Sequence, residues 1–187
     1  MGNSMTLTCL LADAIDSEWS RMAAIRLGDV PSTLPTPAHY VLVLKDDRPF
    51  KTIEVHLPRQ TFSLFIEAQI WEGWIAVGFG CSVFLVSVDG DDICEVDLDQ
   101  SGKYEGNYFA GFSFASDFLL ARSGYGLTCI DRRGATKWRN YGLGLDGVTI
   151  DGITSDTITG EGEWDPPGGS RPFAVWLDDG RNLKGRP

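Results

Sequence analysis

The chain has 187 residues, 43% hydrophobic and 11% aromatic, with 26 acidic against 16 basic side chains and a formal net charge of −10. That length fits one domain burying about 70% of its unfolded surface, and the apolar fraction excludes a disordered chain. The acidic balance excludes a surface that displaces counterions from nucleic acid; it suits either a basic partner or plain solubility.

The first sixteen residues, MGNSMTLTCLLADAID, have no basic leader and an apolar run broken by Asp13, so no secretory signal is expected. No stretch approaches the roughly 20 apolar residues of a membrane span. Cys9, Cys81, Cys94 and Cys129 lack the paired spacing of a zinc site. Cys81 and Cys129 lie in or beside apolar runs, where a free thiol packs as a small hydrophobe. A cytoplasmic setting follows as the simplest compartment.

Two readings fit residues 6–27. Leu11, Ile15, Trp19 and Met22 recur at helical spacing, ended by Gly28. Alternatively 6–14 and 19–27 are strands joined by a polar Asp-Ser-Glu turn, and the downstream repeat favours this. The segment 31–38, PSTLPTPA, reads as an extended loop because proline cannot pair in a central strand.

Beyond it the register is clear. Period-two runs flank polar turns in 41–57 (VLVLKDDRPFKTIEVHL), 83–98 (VFLVSVDGDDICEVDL), 125–139 (YGLTCIDRRGATKWR) and 173–183 (FAVWLDDGRNL), each the pattern of a β-hairpin. Their turn aspartates, Asp47, Asp89, Asp131 and Asp178, are separated by 42, 42 and 47 residues. Two further runs precede each later hairpin: 61–70 and 74–78, then 108–114 and 118–122, then 148–153 and 157–161. The prediction is a single all-β domain over 1–187, made of about four consecutive four-stranded antiparallel units at 6–58, 61–99, 107–140 and 147–185. Units of this size and strand number are those of propeller blades, each depending on its neighbours for burial.

The hydrophobic run, Asp-x-x-Gly turn and following tryptophan at 130–138 resemble blades of the WD40-like and quinoprotein-like β-propellers. Room for four units implies a small ring or an open partial propeller. Residues 70–180 also resemble a group of bacterial proteins of unassigned activity, through Lys137-Trp138-Arg139, Leu145-Asp146-Gly147-Val148, the run GEWDPPGG at 162–169, and Arg171-Pro172-Phe173. By analogy of fold and context, small acidic proteins of this kind suggest an immunity or antitoxin role against a toxin.

Four patterns bear on function. The segment 164–171, WDPPGGSR, interrupts the last unit where a short turn is expected. Read as a preorganised loop, it offers Trp164, Asp165 and Arg171 as anchors. Propeller geometry would set these beside Tyr104, Glu105, Tyr125 and Tyr141. The plainer reading folds Trp164 back as packing. Residues 97–105, DLDQSGKYE, carry the spacing of a calcium loop, with Asp97, Asp99, Ser101 and Glu105 as oxygen ligands; a polar connection is the bland alternative. Gly142-x-Gly144-x-x-Gly147 fits the dinucleotide pattern literally, but a β-like run follows it instead of the required helix. His39 and His56 stand outside metal or triad spacing, no G-x-S-x-G elbow occurs, and the paired aspartates occupy hairpin turns as solvated acids do.

The expectation is therefore a protein-binding module without a required cofactor, calcium aside, whose acidic aromatic face covers a basic toxin-like protein; neither nucleic acid nor membrane is expected as a partner. A small-ligand or glycan binder stacking sugars on Trp164 and the tyrosines stays open, as does a hydrolase with scattered acids.

Overall fold

The computed structural model describes residues 6–30, 36–57, 65–99, 107–115, 117–164 and 168–183. The chain is all-β. Its strands are β1 (Leu7–Ala12), β2 (Ala24–Gly28), β3 (His39–Lys45), β4 (Arg48–His56), β5 (Ile66–Trp71), β6 (Trp74–Phe79), β7 (Ser82–Ser87), β8 (Ile93–Asp97), β9 (Phe109–Ala115), β10 (Phe118–Ser123), β11 (Gly126–Asp131), β12 (Thr136–Tyr141), β13 (Gly147–Ile153), β14 (Thr157–Trp164) and β15 (Gly169–Trp176). They form four propeller-like sheets in chain order: β1-β3-β4-β2, β5-β6-β7-β8, β9-β10-β11-β12 and β13-β14-β15. No helix among the described residues is long and apolar enough to cross a membrane.

By internal packing the chain divides into two compact units. The first holds Met1–Thr61, Glu67–Val77 and Phe84–Ile93; the second holds Phe62–Ile66, Gly78–Val83 and Cys94–Pro187.

In the first unit the strand reading of residues 6–27 holds. The polar Asp-Ser-Glu turn joins the two strands as expected, but without setting them side by side; β1 and β2 lie on opposite edges of their sheet. Asp16 is the cause. Its carboxylate accepts the backbone N–H groups of Glu18 (2.9 Å) and Trp19 (3.2 Å), and a single 3₁₀ turn, Trp19–Arg21, replaces a tight reversal. Trp19 is buried there, so the second strand starts at Ala24. β2 then runs parallel to β4, in register Ala24↔Thr52 to Gly28↔His56. The β3–β4 hairpin turns on Asp46 and Asp47, both at positive φ (50° and 59°), the conformation of a type I′ turn. Lys51 on β4 donates its ammonium to the carbonyls of Ser87 (2.8 Å) and Gly90.

The second unit holds one continuous core: Leu120, Leu127, Cys129, Trp138, Leu143, Val148, Ile158, Val175 and Leu177 bury together, with Phe173 packed against them. Alternation places these on single faces. On the last sheet, Ile158 pairs with Val175, Gly160 with Phe173, Gly162 with Arg171 and Trp164 with Gly169, so all eight share one face. Thr159, Glu161, Glu163, Ser170 and Pro172 take the other face, and all are exposed. The repeat's tryptophan, Trp138, donates Nε1–H to the Leu177 carbonyl at 2.9 Å. Gly180, at φ 69°, presses on the same ring: a Cβ there would fall 2.4 Å from it. One hairpin's tryptophan thus fixes the next hairpin's turn.

The predicted hairpin at 173–183 is present in reduced form. β15 has no full fourth strand beside it; among the described residues the return is a bridge, Val175↔Asn182, with Trp176 N–H donating to the Arg181 carbonyl at 2.9 Å. Cys129 is buried as expected. Cys81 is not: it sits exposed in the turn between β6 and β7, because the apolar run beside it ends before the reversal.

Candidate functional site

Within the segment expected as an inserted loop at 164–171, Trp164 and Gly169 to Arg171 continue the ladder. β14 runs through Trp164 and β15 starts at Gly169, with pairing unbroken from Thr157↔Trp176 to Trp164↔Gly169. The reason lies in the GEGEW pattern. Gly160 and Gly162 occupy the inner face, where a Cβ on Gly162 would stand 1.6 Å from the Leu143 carbonyl oxygen. These glycines leave room for the chain that follows β12 to lie against β14. The described ladder ends at the Trp164↔Gly169 pair, and Asp165 lies outside the described residues. At that tip the Arg171 guanidinium stands 4.9 Å from the Trp164 ring centroid, a cation–π contact. Trp164, Arg171, Phe173, Leu143 and Leu183 line a groove of about 400 Å³. The Trp164 Nε1–H is buried without a hydrogen-bond partner among the described residues.

The chain that follows β12 is bonded both to Tyr125 and to β14. Gly142 and Leu143 donate their N–H groups to the Tyr125 carbonyl (2.9 and 3.1 Å), and Leu145 N–H donates to the Glu163 carbonyl at 2.7 Å. Tyr141, the last residue of β12, donates its hydroxyl to the Leu98 carbonyl at 2.7 Å. Buried Asn107 donates to the same oxygen at 2.7 Å and accepts the Tyr125 N–H at 3.2 Å. Burial pushes the Tyr141 phenol up; Arg139 opposes the rise, while Asp97 and Asp99 add to it. Tyr141 is therefore tied into the fold. Tyr104 and Glu105 lie outside the described residues.

A second site has no counterpart in the sequence reading. A cleft of about 440 Å³ is lined by Phe65, Tyr108, Arg122, Asp146, Glu161 and Glu163, among others. Phe65 and Tyr108 stack at 6.2 Å between centroids, 19° from parallel. The Tyr108 hydroxyl donates to the Asp146 carbonyl at 2.6 Å and lies 3.4 Å from its carboxylate. Desolvation raises this phenol above its ordinary value, and the negative charges of Asp146 and Glu163 raise it further. Ser170 donates to the Glu161 carboxylate at 2.6 Å. The residues come from the chain before β5, from the residue before β9, from β10, from the β12–β13 connection and from β14. No local spacing could announce such a set; only the alternation of Glu161 and Glu163 against glycine was visible.

At the calcium pattern, the Asp97 carboxylate accepts the Asp99 N–H at 2.8 Å, closing a local turn, and Ser101 and Glu105 lie outside the described residues. Among the described residues no group of three or more His, Cys, Asp or Glu side chains is arranged to hold a metal. The G-x-G-x-x-G segment leads into strand β13, with Gly142 and Gly147 at positive φ (120° and 153°), as an inter-strand connection should. His39 pairs with Asp13 at 2.9 Å, and buried His56 lies 3.5 Å from Glu54. No protein-family model matches the chain, and no curated protein matches it.

Proposed function

We propose that this chain is a protein-binding module of the immunity or antitoxin class, acting in the cytoplasm by covering a basic partner with an acidic and aromatic face. The observation that carries this reading is the β14–β15 hairpin. Its tip presents Trp164 under the Arg171 guanidinium, and its outer face holds Glu161 and Glu163 exposed to solvent. Tryptophan and arginine anchor protein interfaces more often than other residues. Carboxylates on the hairpin's opposite face draw in a basic partner and speed its encounter. The net charge of −10 acts in the same direction over the whole molecule.

Capture from the native host with the full chain as bait identifies the partner, and calorimetry measures its affinity. Trp164→Ala is expected to weaken that affinity by about 2 kcal/mol or more, with little change in melting temperature. Unchanged affinity with a lowered melting temperature would assign Trp164 to hairpin packing and end this reading of the surface.

A further inference from the structure

We infer that the cleft at Tyr108 and Arg122 binds a small basic amino acid or close analogue, taking its carboxylate on Arg122 and its cationic groups among Asp146, Glu161 and Glu163. The inference does not depend on a protein partner, and it starts from an orphaned atom. The Nε of Arg122 is shielded from solvent and has no hydrogen-bond partner among the described residues. A buried donor left unmade is costly and calls for an explanation. Three carboxylates line the same cleft, yet the Arg122 Nε–H donates to none of them. Arg122 lines the cleft, and a carboxylate is the planar, two-pronged acceptor that a guanidinium takes best.

The surroundings narrow the ligand. Inorganic phosphate would satisfy Arg122 but would bring a dianion beside Asp146, Glu161 and Glu163, a repulsive arrangement. An apolar ligand would leave Nε unsatisfied. A pure cation would suit the acids and leave the guanidinium facing like charge. A molecule with one carboxylate and an excess of positive charge meets both ends. The stacked Phe65–Tyr108 pair adds a π face for a guanidinium or ammonium group. The volume of about 440 Å³ falls within the range of about 300–1,000 Å³ usual for small-molecule sites.

The test is calorimetric titration of the full chain with L-arginine, agmatine (the same molecule without its carboxylate), L-glutamate and inorganic phosphate. L-arginine is expected to bind and to raise the melting temperature. Agmatine should bind at least 10-fold more weakly, and L-glutamate and phosphate should show no saturable heat. In Arg122→Met the advantage of L-arginine over agmatine should vanish; in Glu163→Gln both should weaken while their ratio persists. Equal binding of L-arginine and agmatine by the native protein would overturn the inference. So would tighter binding of phosphate, or no L-arginine binding at millimolar concentration. The native ratio decides the matter even if Arg122→Met does not fold.

Discussion

Asp131 shows how much one side chain can settle locally. Its Oδ1 accepts the N–H groups of Arg133 (2.9 Å) and Ala135 (3.0 Å), while the Arg133 guanidinium reaches Oδ2 at 3.1 Å. Desolvation pushes this carboxyl upward, but the bonds from Ala135 and Arg133 outweigh it and hold the group below its ordinary range. A carboxyl whose folded pKa lies below its unfolded one stabilises the fold above the unfolded value. That contribution fades as pH falls through the folded one. Asp131→Ala should therefore cost about 1 kcal/mol at neutral pH, measured by urea unfolding. The gap between native and variant should close on acidification below the ordinary carboxylate range; a gap unchanged at low pH would mean the ionised bonds are not its source. The same logic at a single residue isolates Arg122, whose orphaned Nε is invisible in the linear order of residues.

At the scale of the element, the β14–β15 hairpin is the instructive case. Its alternation, Ile158-Thr159-Gly160-Glu161-Gly162-Glu163-Trp164, puts glycine on the inner face and acid on the outer one. Gly162→Ala would drive a methyl against the Leu143 carbonyl, a backbone atom that cannot swing aside. Overpacking of this kind is expected to cost about 3 kcal/mol, read as a fall in melting temperature. A neutral Gly162→Ala would show that the β12–β13 connection can move away from β14 at this point. The segment 164–171 looked like a loop because two prolines and two glycines punctuate it. Cross-strand register, set by the facing strands, carried pairing up to Trp164. The β1–β2 connection teaches the converse: a turn signature was present, and Asp16 with buried Trp19 used it to start a 3₁₀ turn in place of a hairpin.

For the whole molecule, charge is the property that reaches furthest. With a net charge of −10, self-repulsion opposes the folded state and attraction favours basic partners, and salt screens both over about 8–10 Å near physiological strength. Raising sodium chloride from 0.02 to about 0.3 M should increase the melting temperature of the isolated chain and slow its association with the proposed partner. An association rate indifferent to salt would argue against electrostatic recognition and leave the Trp164 tip as the whole of the interface.

By itself the sequence determined the all-β class, three of the four hairpins in full and nearly every strand, because period-two alternation and turn chemistry are local properties. It also marked Cys129 for burial and denied the G-x-G-x-x-G segment its helix. Tertiary structure alone decided that β2 pairs parallel to β4, that the last sheet stops at three strands and a bridge, and that Phe65, Tyr108, Arg122, Asp146, Glu161 and Glu163 share one cleft. Those outcomes depend on which distant strands come to lie side by side, and that is fixed by burial over the whole unit, not by the spacing of neighbours along the chain.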